Sequence, residues 1–165
     1  MFSIRVANDD LYFAAAHFIT VHGGQCERLH GHTYHVAAEI QGLLDEHHYV
    51  ADFVMVRKIL KTVLAELDHH VLLPAQHATI HVVGGLKEVE VTWTDRRWVF
   101  PKEDCLVLPV ASTTTELLAE YIAKRLLAEV KVLAGSRCML NRVRIEMGEG
   151  TGFSAACELQ GDELV

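Results

Sequence analysis

His30 and His32, separated by Gly31, can grip one ion from the same side of an extended strand, because strand side chains alternate faces. One strand supplies only that pair. A third imidazole has to come from a neighbouring strand, and His17, closing Phe13-Ala14-Ala15-Ala16-His17, is the candidate. Such a site would set the expected strand that carries His17 next to the segment that carries His30 and His32. Neutral imidazole is a borderline-soft nitrogen ligand that suits a zinc-sized ion, and three of them leave a position open for substrate or water.

Cys26 stands four residues before His30 and has two readings. As a fourth ligand it closes a structural zinc site. Beside an open site it is a base or nucleophile, which requires a lowered thiol pKa that a metal or a cation such as Arg28 can supply. His35 falls on the opposite face of the strand by alternation and is not expected to join the set.

The chain has 165 residues, half of them hydrophobic, enough for one domain with a proper core over residues 1–165. No apolar run is long enough to span a bilayer, and Met1-Phe2-Ser3-Ile4-Arg5-Val6 lacks the basic start and apolar stretch of a secretory signal. Cys26, Cys105, Cys138 and Cys157 form no Cys-x-x-Cys pair, so a reducing cytoplasm is expected rather than a disulfide framework. A net charge of −7 argues against nucleic acid as a partner, because nonspecific binding rests on neutralising phosphates. It leaves room for a small phosphorylated substrate held by local arginines. Of the eleven histidines, His47, His48 and His77 are expected at the surface.

Strands are expected over Leu11 to Ile19 and Thr33 to Ile40, with Gln41-Gly42 ending the second. Asp52 caps a helix whose stripe is Phe53, Val56, Ile59, Leu60, Val63, Leu64 and Leu67. Thr113-Thr114-Thr115-Glu116 reads as the capping box of a second helix, which Ala134-Gly135-Ser136 stops. Two closing strands, Arg142 to Met147 and Phe153 to Leu159, flank the turn Gly148 to Gly152. Between the helices, Thr79 to Val83 and Lys87 to Trp93 alternate around Gly84-Gly85 as a hairpin, with Trp98-Val99-Phe100 a short third strand. The order is strand, strand, helix, inserted hairpin, helix, strand, strand, an α+β pattern.

Three carboxylates qualify as site residues, each with a plainer reading. Asp68-His69 is either an ordinary helix end or an acid–base pair in which the carboxylate orients the imidazole. Glu116 needs no role beyond its place as third residue in the capping box. Glu146 is a surface residue, or one facing a cleft, where its two oxygens suit the amino-pyrimidinone edge of a pterin or guanine.

Together these pieces resemble the 6-pyruvoyltetrahydropterin synthase and 6-carboxytetrahydropterin synthase family. The resemblance is carried by Phe13 to His17, Cys26 to Tyr34, Val50-Ala51-Asp52-Phe53, Leu67-Asp68-His69-His70, Thr114-Thr115-Glu116 and Val143-Arg144-Ile145-Glu146. It spans nearly the whole chain outside the Pro74 to Ser112 insertion. It implies the tunnelling fold, strand-strand-helix-helix-strand-strand, here with an inserted β-hairpin between the helices. It implies Zn2+ on His17, His30 and His32, Cys26 as base, Asp68 and His69 as a relay, and Glu116 and Glu146 as pterin contacts. A homo-oligomer, a hexamer with active sites between subunits, is implied as well.

The substrate implied is 7,8-dihydroneopterin triphosphate. The three residues between Cys26 and His30 resemble the bacterial branch, which forms 6-carboxy-5,6,7,8-tetrahydropterin with release of triphosphate and acetaldehyde, towards queuosine. Formation of 6-pyruvoyltetrahydropterin from the same substrate, or a non-catalytic zinc-stabilised pterin-binding domain, are the alternatives. The chain departs from the family pattern at Leu73, where asparagine is frequent, and at Met147, where threonine commonly follows the pterin-binding glutamate.

Overall fold

β5 (His30–Gly42) is the longest strand and organises the rest, in a computed structural model that describes residues 1–22, 24–134, 139–150 and 152–164. Its alternation buries Tyr34, Val36, Ala38 and Ile40 on one face and turns His35 to the other. One edge of β5 pairs with β11 (Leu140–Glu149). The other edge serves two short strands in succession. β2 (Tyr12–His17) pairs with its beginning and β1 (Phe2–Val6) with its end.

The sheet extends beyond these strands on both sides. β12 (Ser154–Gln160) follows β11, while β6 (Val71–Pro74) and β10 (Cys105–Leu108) follow β2, giving the order β10-β6-β2-β5-β11-β12. Two helices, α1 (Phe53–Leu67) and α2 (Thr115–Ala134), cover the face that buries Tyr34 and Val36, joining Leu60, Leu64, Leu118, Ile122 and Leu126 to the sheet in one core. This is a mixed α+β architecture with two helices on a large sheet.

Both helices start on side-chain caps. The Asp52 carboxylate accepts the backbone N–H of Val54 at 2.7 Å and of Met55 at 3.4 Å, satisfying donors that the first turn leaves free. At α2 the cap lies one residue later than the sequence pattern suggests. The helix starts at Thr115, and the Leu117 N–H points to the Thr114 hydroxyl at 3.5 Å. Glu116 is therefore one position short of the capping-box glutamate, and its exposed carboxylate is released from that duty.

The expected strand over Leu11 to Ile19 is shorter, β2 ending at His17, that over Thr33 to Ile40 runs longer at both ends, and the two closing strands lengthen or shift by one to two residues. β1, β6, β10 and a ribbon of two-residue strands, β3 (Thr20–Val21) and β4 (Gln25–Cys26), come in addition. The expected hairpin of the Pro74 to Ser112 insertion is a three-stranded antiparallel sheet, β7 (His81–Gly84), β8 (Glu88–Trp93) and β9 (Arg96–Pro101). It builds a second small core from Ile80, Val89, Val91, Leu73 and Phe18, with Cys26, Trp93 and Trp98 packed against it. His77 is part of this scaffold rather than a free surface residue. Its Nδ1 accepts the N–H of Ile80 at 2.9 Å, and its Nε2 meets the Thr20 hydroxyl at 3.0 Å. The Gly135-Ser136 helix stop, Cys138 and Thr151 of the last turn lie outside the described residues.

Candidate metal centre and substrate cleft

The antiparallel register of β2 and β5 sets His17 directly opposite His30, with His32 diagonal to it across Ala15. Opposed Cβ atoms in such a ladder are about 5 Å apart and diagonal ones about 7 Å, within reach of imidazole rings. The strand begins at His30, so both of its histidines share the face of Tyr34, as alternation requires. Gly31 permits the close approach. A Cβ there would sit 3.1 Å from the Ala15 carbonyl oxygen of β2. The result is a triad whose ligating nitrogens all lie within 4.8 Å of one another.

Hydrogen bonds prepare these rings for a cation. His17 Nδ1 donates to the Thr113 carbonyl at 2.8 Å, and His30 Nδ1 donates to the Arg28 carbonyl at 2.8 Å. Each bond fixes a tautomer that leaves Nε2 as the lone-pair nitrogen. Beneath them the buried Tyr34 hydroxyl donates to His17 Nε2 at 3.3 Å. Burial keeps His17 below its ordinary pKa, although the Thr113 bond opposes that, and the neighbouring His30 and His32 push it further down. A neutral imidazole is the form that binds metal, so the donor set fits a divalent ion such as zinc.

Cys26 stays outside the triad of close ligand atoms and packs against the inserted sheet. Burial raises its thiol pKa, the charge of Arg96 opposes that, and Glu27 adds to it. The cation acting on the thiol is thus Arg96 of β9, seventy positions on, rather than the adjacent Arg28. Glu27 is a site neighbour that the sequence analysis passed over. Its Oε2 lies 3.9 Å from His30 Nε2.

Asp68 and His69 form the expected pair at the C-terminal end of α1. Asp68 Oδ1 accepts the Ala14 N–H at 2.8 Å, and its Oδ2 meets His69 Nδ1 at 2.8 Å. The Ala14 N–H, more than the imidazole, holds the carboxyl below the usual range. His69 takes a left-handed backbone, φ 58°, and donates its N–H to the Ala14 carbonyl. Both residues are therefore anchored on β2, the strand of His17. The His69 side chain is 82% exposed and lies outside the triad.

A cleft of about 540 Å³ opens beside His17, lined by Thr114, Thr115, Glu116, Glu149 and Phe153. The structure places Glu116 at this cleft and Glu146 away from it. Glu146 alternates with the buried Val143, Ile145 and Met147, so it emerges on the opposite face, where it pairs with Arg144 at 3.0 Å and Arg5 at 3.9 Å. Glu149, three residues further on, shares the parity of Ile145 and Met147 and reaches the cleft. Its carboxylate accepts the Thr115 hydroxyl. Met147, the departure from the family pattern just after Glu146, was the available sequence signal that another carboxylate of this strand, Glu149, could be the one at the cleft.

The chain matches the family described as 6-pyruvoyl tetrahydropterin synthase over residues 7–158. A Methanocaldococcus jannaschii protein provisionally named a 6-carboxy-5,6,7,8-tetrahydropterin synthase is 31% identical over 156 residues, 94% of each chain. The Plasmodium falciparum 6-pyruvoyl tetrahydropterin synthase structure superposes with a TM-score of 0.88 at 28% identity, covering 97% of this chain and 98% of that one. A Plasmodium vivax 6-pyruvoyltetrahydropterin synthase with a catalytic glutamate exchanged for alanine superposes equally well, TM-score 0.88 at 25% identity, over 97% and 98% of the two chains.

Proposed function

The chain belongs to the 6-pyruvoyl tetrahydropterin synthase family, and we propose that it converts 7,8-dihydroneopterin triphosphate to 6-carboxy-5,6,7,8-tetrahydropterin, releasing triphosphate and acetaldehyde. The observation that carries this reading is the open triad of His17, His30 and His32 beside a cleft walled by two carboxylates, with the Cys26 thiol outside the ligand set. The name of the Methanocaldococcus jannaschii relative supports the carboxy product, which feeds queuosine and related deazapurines.

His17, His30 and His32 hold zinc, which when bound supplies Lewis-acid polarisation of the substrate's side-chain hydroxyl oxygens. Glu149 accepts the amino and ring N–H groups of the pterin, with the Thr115 hydroxyl fixing its orientation and Glu116 as a second contact. Cys26 takes a proton from the side-chain carbon, and the nearby Arg96 charge favours its thiolate. His69, oriented through Nδ1 by Asp68, moves protons to and from the side-chain oxygens. Its exposure, and the open sheet edges at β10 and β12, support an oligomer in which one subunit's His69 serves a site completed by another. A hexamer in the cytoplasm is the expected form. No helix among the described residues is long and apolar enough to cross a membrane.

A second reading gives proton abstraction to Glu27 and makes 6-pyruvoyltetrahydropterin the product. It is favoured by the Glu27 carboxylate beside His30 and by the catalytic glutamate of the Plasmodium vivax relative. Mass spectrometry of products from zinc-loaded protein and dihydroneopterin triphosphate separates the two. The first reading predicts carboxypterin and acetaldehyde, lost in Cys26→Ala and kept in Glu27→Gln. A pyruvoyl product lost in Glu27→Gln supports the second reading, and untouched substrate overturns both.

A further inference from the structure

We propose that Arg96, on the inserted sheet, is a positioning residue that holds the Cys26 strand in place beside the histidine triad; this rests on the reading of Cys26 as the base. The strand cannot hold itself. β4 has two residues, paired among the described residues with the two of β3, and one more backbone bond runs from the Glu27 N–H to the Ile19 carbonyl at 3.0 Å. A two-stranded ribbon is marginal in water even at ordinary length.

The carbonyl of Cys26 and that of the next residue, Glu27, meet one guanidinium. Arg96 Nη1 donates to Cys26 O at 2.8 Å and to Glu27 O at 3.1 Å, so the two consecutive peptide groups that follow Cys26 and flank Glu27 are tied to a single planar group. That group is itself clamped. Its Cζ lies 4.5 Å from the Trp98 ring centre, and Trp98 stacks on Phe18 with centroids 4.5 Å apart and planes 19° from parallel. Phe18 is buried and follows His17 directly in the chain. A packed path therefore runs from ligand His17 through Phe18, Trp98 and Arg96 to Cys26. The His77 bond to Thr20 ties the other strand of the ribbon to the same insertion. The inserted sheet thus acts as a splint for the thiol, with Arg96 at its point of contact.

The test compares Arg96→Ala, Arg96→Lys and wild type as full-length, zinc-loaded protein, by steady-state kinetics and amide hydrogen exchange. In Arg96→Ala we expect the amides of Val21, Gln25 and Glu27, the ladder donors of this ribbon, to exchange at least about tenfold faster, with β5 and β11 unchanged. We expect kcat to fall about 100-fold while KM stays within about threefold, because displacement of a reacting group costs rate rather than binding. Zinc content stays at the wild-type value. Arg96→Lys, which keeps the charge without the planar fork, recovers part of both losses. Wild-type kcat with wild-type exchange in the ribbon overturns the proposal. So does faster exchange spread through β5 and β11 with loss of zinc, which marks general structural support. If Arg96→Ala does not fold, Arg96→Gln carries the same two expectations. If wild-type protein leaves dihydroneopterin triphosphate untouched, the enzymatic reading fails, and exchange in the ribbon alone then decides the role of Arg96.

Discussion

The Thr115 hydroxyl donates to the Glu149 carboxylate, joining the first turn of α2 to the end of β11 across the mouth of the cleft. Nothing of the kind holds Glu146, whose partners Arg5 and Arg144 stand on the other face of the sheet. Glu149→Gln is expected to weaken pterin affinity about 100-fold, because an amide offers one acceptor oxygen where a carboxylate offers two and leaves substrate N–H groups unpaired. Glu146→Gln is expected to change affinity less than about twofold, because this half-buried side chain stands on the face of the sheet away from the cleft. Fluorescence quenching on titration with a pterin measures both; equal losses would contradict the assignment.

Gly31 is required by the spacing of the ligands rather than by its backbone angles. A side chain there presses on the Ala15 carbonyl, which is fixed in the ladder between β2 and β5. Gly31→Ala is expected to widen the gap between His17 and His30 and to lower zinc affinity about tenfold, the low end of what perturbed ligand positioning costs. Competition with a chromogenic chelator reads the change, and wild-type affinity would show that the strands tolerate the methyl group.

Acid should destabilise the metal-free chain in two stages. Burial and the neighbouring imidazoles keep the folded pKa of His17 below its ordinary 6.5. Just below that value the unfolded chain takes up a proton that the folded chain refuses, so stability falls as pH drops from about 6.5 towards the folded pKa. Asp68 acts lower down. Its folded pKa lies below the ordinary 3.8, so the stability it contributes is present above 3.8 and is lost as pH falls further. Urea midpoints followed from pH 7.5 to 3 measure both stages. A midpoint that stays level between pH 6.5 and 5, or that falls equally in His17→Gln, would contradict the first.

The cluster of three histidines was legible because it depends on local periodicity: an alternating strand fixes which side His30 and His32 face, and His17 closes a short apolar run. The helices were legible for the same reason, since Val56 to Leu67 repeats at helical spacing and Asp52 precedes it. What escaped depends on register or distance. Glu149 and Glu146 are both acidic, both near the end of one strand, and only strand parity separates them. β3 and β4 are too short to show a period, and β6 and β10 are four-residue apolar runs whose pairing partners lie elsewhere in the chain. Arg96 reaches Cys26 only through an insertion whose docking rests on Phe18 and Trp98, a contact that no spacing rule reports.

The measurement that bears most directly on the site is zinc content and turnover of Cys26→Ala, each determined on the same preparation beside wild type. If the thiol is the base at an open three-histidine centre, the variant keeps wild-type zinc and loses turnover by about a thousandfold or more, the scale of removing an essential proton acceptor. Loss of zinc together with activity would contradict this and make Cys26 a fourth ligand of a closed site.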